Sequence, residues 1–308
     1  MTFLQEITDR FPIRKTAEQK EAFLKYASAV ARKLGYTCRV EENGHNRNWV
    51  AGDPEHANIL FTAHYDTPAN KLIPHPVIPR NIPLFYLYQL GIVLLLFGLS
   101  FLAGWLAYLI THVSAVTLVV FLLAYYALLM LLVMGPANKH NVNCNTSGVA
   151  ALLQLMAQLP PETRDQAAFI LFDNGERGKS GSRSYALHHQ EIKRRTPVFN
   201  MDCVGVGENL LIIAKMHARA AADFSRLLEC FPKDGEISPV FFPANACVFN
   251  SDHQSFRCGM TALFCKRRPL IGYYTPGLHT RRDTQASQQN LDYLTGSLTA
   301  FVQYLADS

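Results

Sequence analysis

The chain has 308 residues, of which 49% are hydrophobic, and its formal net charge is +5. So small a charge argues against a nucleic-acid-binding protein, and the length allows one large or two small domains. The seven cysteines are an odd number and include no Cys-x-x-Cys pair, which predicts free thiols in a reducing compartment rather than a disulfide framework. The first residues lack a charged stretch followed by an apolar one, so no cleavable signal peptide is expected.

The N-terminal elements alternate between helical and strand patterns. Residues 16–34 repeat apolar side chains at helical spacing, and Thr16 with Gln19 resembles a capping box at the start of that helix. Alternating side chains predict strands over residues 36–41 and 48–52.

A short apolar run that ends in polar residues is the first candidate site. Residues 59–63 have the length and composition of a buried strand, and His64-Tyr65-Asp66 follows directly. The end of a strand in an open α/β sheet is where ligands usually bind. Because side chains alternate in an extended chain, His64 and Asp66 point to the same side, so Asp66 can orient a metal-binding imidazole. An ordinary strand followed by a polar loop is the alternative.

The next segment is free of charge over a long distance. Residues 81–138 contain no Asp, Glu, Lys or Arg. Within them, residues 85–110 and 115–134 each reach the roughly 20 apolar residues that cross a bilayer. A short polar break separates the two stretches, so we predict a transmembrane helical hairpin over residues 81–138. A buried helical pair within a soluble protein is the alternative.

The basic residues around this hairpin predict its orientation. Lys71 and Arg80 precede the hairpin and Lys139 follows it, whereas its turn has no Lys or Arg. Basic residues flank membrane spans on the cytosolic side. We therefore predict a two-pass integral membrane protein, with the lipid bilayer as a partner and the rest of the chain in the cytosol. The absence of charge within the spans argues against a transporter.

Beyond the hairpin, helical and strand patterns alternate again. The predicted helices cover residues 148–159, 182–189, 218–231 and 289–305. The predicted strands cover residues 167–172, 198–203, 210–214, 238–242 and 261–265. We predict one α/β domain made of residues 1–80 and 139–308, with the hairpin inserted between its two parts.

Later stretches of the sequence place further possible metal ligands at the ends of elements. Cys144 precedes a helix, Glu176 follows a strand, Asp202 ends another strand and His279 lies in a late loop. Together with His64 these residues make a plausible zinc-binding set. Each residue taken singly is more often a buried thiol, a loop acid, a turn residue or a surface histidine.

The order of these stretches closely resembles peptidase family M28, the zinc aminopeptidases whose relatives include the glutaminyl cyclases. The family pattern runs His-x-Asp, Asp-x-x-Ser-Gly, Glu-Glu-x-Gly-x-x-Gly-Ser, Asn-x-Asp, Ser-Asp-His and a late His before Asp-Thr. The matching stretches here are His64 to Asp66, Cys144 to Gly148, Gly175 to Ser182, Asn200 to Asp202, Ser251 to His253 and His279 to Thr284. The resemblance implies a zinc-aminopeptidase-like fold, with a mixed central sheet flanked by helices, and hydrolysis of peptides.

The resemblance also implies a ligand set. His64 and Asp202 are expected to hold one zinc ion, Glu176 and His279 the other, and Cys144 stands where the family has a bridging aspartate. A single zinc ion on Cys144, Glu176 and His279 is an equal alternative. The residues expected to support these ligands are Asp66, Asp252, His253 and Asp283.

One departure from the family concerns catalysis. Gly175 occupies the position of the general base, whose help is typically worth about 10²–10⁴-fold in rate, so no catalytic residue is assigned. Two functions stay open for this sequence. The first is a membrane-anchored metallopeptidase of the aminopeptidase type that acts on peptides. The second is a catalytically impaired pseudopeptidase that serves as a peptide-binding or scaffolding module.

Overall fold

A mixed β-sheet forms the centre of the α/β domain in the computed structural model, which describes residues 1–71, 76–133 and 135–308. Its strands are β1 Cys38–Asn43, β2 Asn46–Ala51, β3 Ile59–His64, β4 Ala167–Phe172, β5 Val198–Met201, β6 Asn209–Ala214, β7 Ser238–Pro243, β8 Gly259–Arg268 and β9 Gly272–Tyr274. They pair in the order β1-β2-β4-β3-β5-β8-β6-β7, and β9 pairs with β8. Strands β4, β3, β5 and β8 run parallel, while β2 and β6 are antiparallel to their neighbours β4 and β8. The predicted fold class is confirmed.

Helices outside residues 82–133 cover both faces of the sheet. The helices of the chain are α1 Phe3–Arg10, α2 Ala17–Lys33, α3 Ile82–Thr111, α4 Ser114–Val133, α5 Ser147–Gln158, α6 Ser180–His188, α7 Gln190–Arg195, α8 Met216–Arg219, α9 Phe224–Glu229 and α10 Gln288–Asp307. Alternation along β3 separates two cores: Phe61 packs in the cluster with α1, α2, α5 and α10, and Leu60 packs on the opposite face with Tyr185 and Ile192.

Helix α2 begins as the sequence predicts. The Thr16 side chain accepts a hydrogen bond from the Gln19 backbone N–H, and the Gln19 side chain accepts one from the Thr16 N–H. This reciprocal pair satisfies backbone donors that the first helical turn leaves unpaired. The same arrangement between Thr2 and Gln5 starts α1, a helix that we did not predict.

The predicted single helix over residues 218–231 is wrong, because two short helices, α8 and α9, occupy this region. Between them the N–H of Ala221 bonds the carbonyl of Ala218, and the N–H of Phe224 bonds the carbonyl of Ala221. These bonds span three residues instead of four, and they tighten the chain between the helices. The tight turn lets Ala218 and Leu227 both reach the core, so packing overrides helix propensity.

Helices α3 and α4 form an antiparallel hairpin that packs mainly on itself. The Phe97 and Phe121 rings meet edge to face with centroids 5.2 Å apart. At Gly104 a Cβ would lie 3.0 Å from the Thr117 carbonyl oxygen, so this glycine lets the two backbones approach closely. Both helices are long and apolar enough to cross a membrane. Met134, at the predicted end of the second span, lies outside the described residues.

The hairpin leaves the domain and returns to it at one place. Ala69 and Ala137 form an antiparallel bridge. On either side of it, the Asn70 N–H bonds the Pro136 carbonyl at 2.8 Å and the Asn138 N–H bonds the Pro68 carbonyl at 2.9 Å. The insertion therefore leaves the pairing of the central strands undisturbed.

Candidate metal centre

The strand order brings three of the predicted ligands to one edge of the sheet. Strand β3 lies between β4 and β5 and runs parallel to both, so the three carboxyl ends meet. His64 is the last residue of β3, Asp202 directly follows β5, and the loop after β4 carries Glu176. This is the edge at which α/β sheets usually bind ligands.

Cys144 lies at the same edge of the sheet, where the carboxylate of Asp283 holds its backbone. Asp283 accepts hydrogen bonds from the N–H groups of Asn143 at 2.7 Å and Cys144 at 3.1 Å. Asp283 was expected to support the ligands, and its carboxylate fixes the Cys144 segment rather than the ring of His279. Burial raises the pKa of Asp283 to about 7, while the two N–H groups oppose this rise.

The first ligand group, which we call the loop triad, consists of Cys144, Glu176 and His279. His279 Nε2 lies 3.1 Å from Cys144 Sγ and 3.2 Å from Glu176 Oε1, and Cys144 Sγ lies 3.8 Å from Glu176 Oε1. Donor atoms about 2.0–2.3 Å from a tetrahedral zinc ion lie about 3.3–3.6 Å from one another. The loop triad therefore fits zinc in both donor chemistry and spacing.

The second group, the strand triad, consists of His64, Cys144 and Asp202, all of which are buried. Its donor atoms lie within 4.8 Å of one another, and His64 Nε2 lies 3.9 Å from Asp202 Oδ1. Cys144 belongs to both triads, so its sulfur lies at the place of a bridging ligand. The arrangement accommodates either a metal pair or one ion on the loop triad.

Charge distribution favours the ionised forms of Cys144 and Glu176, which metals require, and a protonated His279, whose proton a metal would displace. Hydrogen bonding with the Cys203 thiol, together with the charge of His279, holds the pKa of Cys144 well below its usual value, although burial opposes this. Burial by itself raises the pKa of Glu176, yet His279 lowers it to about 2. Burial lowers the pKa of His279, and Glu176 and Cys144 together raise it to about 10. A metal ion would replace the His279 proton between a thiolate and a carboxylate.

Asp66 connects the two sides of the site. Its Oδ1 lies 3.2 Å from His64 Nδ1 and accepts the Gly175 N–H at 2.7 Å. Its Oδ2 accepts the Glu176 N–H at 3.1 Å. One carboxylate thus orients the His64 ring and holds the loop that carries Glu176.

Gly175 is pressed against the His64 side chain. A Cβ at this position would lie 2.5 Å from both Cβ and Cγ of His64. Real Cβ atoms do not approach so closely, and the inner atoms of His64 cannot move without its backbone. Gly175, which the sequence pattern aligns with a general base, therefore also has no space for a larger side chain in this backbone conformation.

Asp173, which lies two residues before Gly175, is not placed to act as a base at the metal site. Its Oδ1 pairs with Lys20 Nζ at 2.5 Å and its Oδ2 accepts the Arg47 N–H at 3.1 Å. Both oxygens are engaged on the far side of the loop.

Asp252 and His253 were also predicted to support the metal ligands, and Asp252 lines the site. Asp252 borders the cavity of about 250 Å³ that contains the ligand atoms. Burial raises its pKa to about 6. His253 is buried as well, and burial lowers its pKa to about 3, but it does not appear among the described residues that line this cavity.

Two residues at the site were not among those predicted from the sequence. Cys203 Sγ lies 3.2 Å from Asp202 Oδ1 and also beside the Cys144 sulfur, so its single thiol proton serves one of these two acceptors at a time. Ser251 donates to Asp202 Oδ2 at 2.5 Å and accepts from Asn200 Nδ2 at 2.7 Å. Ser251 could have been predicted from its place in the Ser251-Asp252-His253 stretch. Cys203 could have been predicted because it directly follows the candidate ligand Asp202.

A comparison of the sequence with known protein families identifies the family to which the chain belongs. The profile described as Peptidase family M28 matches residues 136–296, which is more than half of the chain. The chain belongs to peptidase family M28. No curated protein sequence matched this M28 chain.

Solved structures share the fold of this M28 chain. The Legionella pneumophila LapA aminopeptidase superposes with a TM-score of 0.60 at 13% identity, covering 99% of this chain and 70% of that one. The Porphyromonas gingivalis glutaminyl cyclase gives 0.61 at 14% identity, covering 98% and 96%. A leucine aminopeptidase precursor from Bacteroides thetaiotaomicron gives 0.58 at 14% identity, covering 97% and 94%. At these identities the likeness establishes the fold.

Proposed function

We propose that this M28 chain is a membrane-anchored, zinc-dependent peptidase of the aminopeptidase type, with Cys144 as the shared thiolate ligand. The observation that carries the proposal is the pair of ligand triads that meet at Cys144, with donor separations of 3.1, 3.2 and 3.8 Å in the loop triad. Family membership and the aminopeptidase fold support peptides as the substrate class.

Some residues of the site would hold zinc, and others would orient the zinc ligands. Glu176, His279 and Cys144 would hold one zinc ion, and His64 and Asp202 would complete the place for a second. Zinc bound there supplies a Lewis acid that polarises a substrate carbonyl. Asp66 keeps the His64 ring in position, and Ser251 directs one Asp202 oxygen by a hydrogen bond. Because these groups are buried or half-buried, their electrostatic effect on a bound peptide is stronger than it would be in water.

A second candidate function rests on Gly175. Without a carboxylate in this position, and without space for one, the site would bind peptide and zinc but turn substrate over slowly. The chain would then act as a peptide-binding or scaffolding pseudopeptidase.

The membrane part of the proposal rests on the hairpin. Helices α3 and α4 expose leucine side chains along most of their length, as a lipid-facing surface does. The basic residues Lys71, Arg80 and Lys139 lie at the domain end, which supports two spans with the domain in the cytosol.

The test compares wild type with His279→Ala in the full-length protein. We expect at least one zinc ion per wild-type chain by atomic emission, and loss of both zinc and aminoacyl-reporter hydrolysis in the variant. His189→Ala is the matched control, because His189 pairs with Glu41 away from the site. Equal zinc in wild type and His279→Ala would contradict the proposal. Bound zinc with negligible wild-type hydrolysis would select the pseudopeptidase.

A further inference from the structure

The hairpin forms part of the wall of the candidate site. Phe85, in the first turn of α3, lines the cavity that contains the ligand atoms. A larger cavity, of about 1020 Å³, is bordered by Glu176 on the domain side and by Gln89 and Ile92 of α3 and Leu132 of α4 on the other.

The two cavities adjoin at Glu176, one member of the loop triad. Both are lined by Lys71, Glu176 and Gly178. The larger volume reaches the upper end of the range of about 300–1,000 Å³ typical of ligand pockets, whereas the smaller volume lies below it. The larger cavity therefore offers a peptide whose end reaches the ligand atoms room for its remaining residues along the hairpin.

Helix lengths place this wall at the edge of the proposed bilayer. Helices α3 and α4 have 30 and 20 residues, which makes them about 45 and 30 Å long at 1.5 Å per residue. Their far ends are level because only a short turn joins them. Helix α4 matches the hydrocarbon core of about 30 Å, so about the first ten residues of α3 extend beyond α4 toward the domain. Gln89 lies in this extension, and Ile92 lies just beyond it, near the level of Leu132.

Gln89 provides an unmet hydrogen-bond donor in this wall. Its Nε2 is buried, and no atom of residues 1–71, 76–133 or 135–308 accepts a hydrogen bond from it. A buried donor without a partner costs about 1–3 kcal/mol. By contrast, the buried Ser100 hydroxyl on the same helix bonds the Leu96 carbonyl at 2.7 Å. A peptide carbonyl in the larger cavity is the kind of group that Gln89 lacks.

We infer that the substrates or ligands of this site are membrane-associated peptides, whose polar end reaches the loop triad while an apolar segment lies against Ile92 and Leu132. Gln89 donates to a carbonyl of the peptide and so fixes its position at the membrane edge. The inference rests on the proposed function for the end of the peptide at the metal, and on the cavity walls alone for the rest.

Site-specific photocrosslinking tests this placement. The full-length protein, in phosphatidylcholine nanodiscs, carries p-benzoylphenylalanine in place of Ile92 or, as the matched control, of Leu94. Leu94 lies two residues on, turned away from the cavity, and is 61% exposed. Two peptides share one amino-terminal sequence and differ in the tail, which is apolar in one and of glycine and serine in the other. We expect the apolar peptide to crosslink strongly at position 92 and weakly at position 94, and the polar peptide to crosslink weakly at both.

Three outcomes would overturn the inference. Equal yields of the apolar peptide at positions 92 and 94 would mean that it only dissolves in the lipid. Equal yields of the two peptides at position 92 would remove the need for an apolar segment. No crosslinking at position 92 would show that the peptide does not occupy the larger cavity.

A second measurement addresses Gln89. Gln89→Leu keeps the bulk and removes the donor, so we expect it to weaken binding of the apolar peptide about tenfold, within the range of one hydrogen bond. Ser100→Ala is the control and should leave binding unchanged, because that hydroxyl is already paired within its helix. Unchanged binding in Gln89→Leu would contradict its role.

Zinc content measured on the same preparations separates this inference from the proposed function. Crosslinking at position 92 in a chain that binds no zinc would support the membrane-peptide site and overturn the metallopeptidase. Bound zinc with equal crosslinking at positions 92 and 94 would support the zinc site and overturn the membrane-peptide site.

Discussion

The loop triad and the strand triad share one sulfur but differ in how freely their ligands are placed. In the loop triad the donors of Glu176 and His279 lie 3.2 Å apart and carry opposite charge. In the strand triad, His64 and Asp202 lie 3.9 Å apart, Gly175 crowds His64, and a hydrogen bond from Ser251 already engages one Asp202 oxygen. From this difference we predict that the loop triad binds zinc more tightly than the strand triad.

The largest effect is expected when the shared ligand is removed. Cys144→Ser takes a thiolate from both triads, so zinc affinity should fall by more than the roughly 10–100-fold typical of changes outside the ligand set. Competition with a chelating dye would measure the affinity, and Cys230→Ser, at a half-buried position outside the site, is the control. Tight zinc binding in Cys144→Ser would show that sulfur is not a ligand.

The second prediction sets one triad against the other. His279→Ala should abolish tight zinc binding, whereas Asp202→Asn should leave one tightly bound ion and reduce only the weaker occupancy. The reason is that Asp202 serves only the strand triad. Zinc titration of both variants measures the two affinities. Tighter zinc binding in His279→Ala than in Asp202→Asn would contradict the prediction.

The third prediction concerns the contact between Gly175 and His64. Gly175→Ala puts a Cβ 2.5 Å from the His64 ring carbon, so we expect a loss of about 1–3 kcal/mol in the free energy of unfolding, as in other overpacked sites. The strand triad should lose zinc while the loop triad keeps it. Thermal unfolding and zinc titration report the two effects. Gly296→Ala, where a Cβ meets nothing within 4 Å, is the control and should not destabilise the chain.

The same contact bears on attempts to restore activity. Gly175→Glu alone should fail to raise turnover, because its Cβ displaces His64 before its carboxylate can serve as a base. A large gain in aminoacyl-reporter hydrolysis from this single change would show that the loop has room to move.

The smallest effect is expected at Asp283, which acts through the backbone of Cys144. Asp283→Asn keeps one acceptor oxygen and loses the other, so zinc affinity should fall about tenfold, at the lower end for residues outside the ligand set. Asp292→Asn, on an exposed side chain of α10, is the control. An unchanged affinity would mean that Cys144 is positioned without the carboxylate.

The sequence predicted the elements whose causes are local. The limits of β4 follow from one apolar run, the start of α2 from a capping box, and the two long helices from charge-free length. The order of His64, Cys144, Glu176, Asp202 and His279 also led to residues that the fold brings together, because each lies where an element ends. Whether they bind metal stays a prediction, as do the proposed domain limits.

What the sequence did not predict arises from contacts between distant segments. Nothing near Gly175 indicates that His64 fills the space beside it, since 111 positions separate them in the chain. The break between α8 and α9 depends on which side chains reach the core. The wall that Gln89 and Ile92 form around the site depends on where the hairpin meets the domain.

The bridge between Ala69 and Ala137 has a consequence for how the protein is made. Strand β3 is synthesised before the hairpin, but its sheet neighbours β4 and β5 are synthesised after it. At the ribosome, the central strand must therefore wait unpaired while the apolar hairpin emerges. If the hairpin crosses a membrane as proposed, its insertion and the closure of the sheet are consecutive steps of biogenesis, and the second step draws the two ends of the hairpin together.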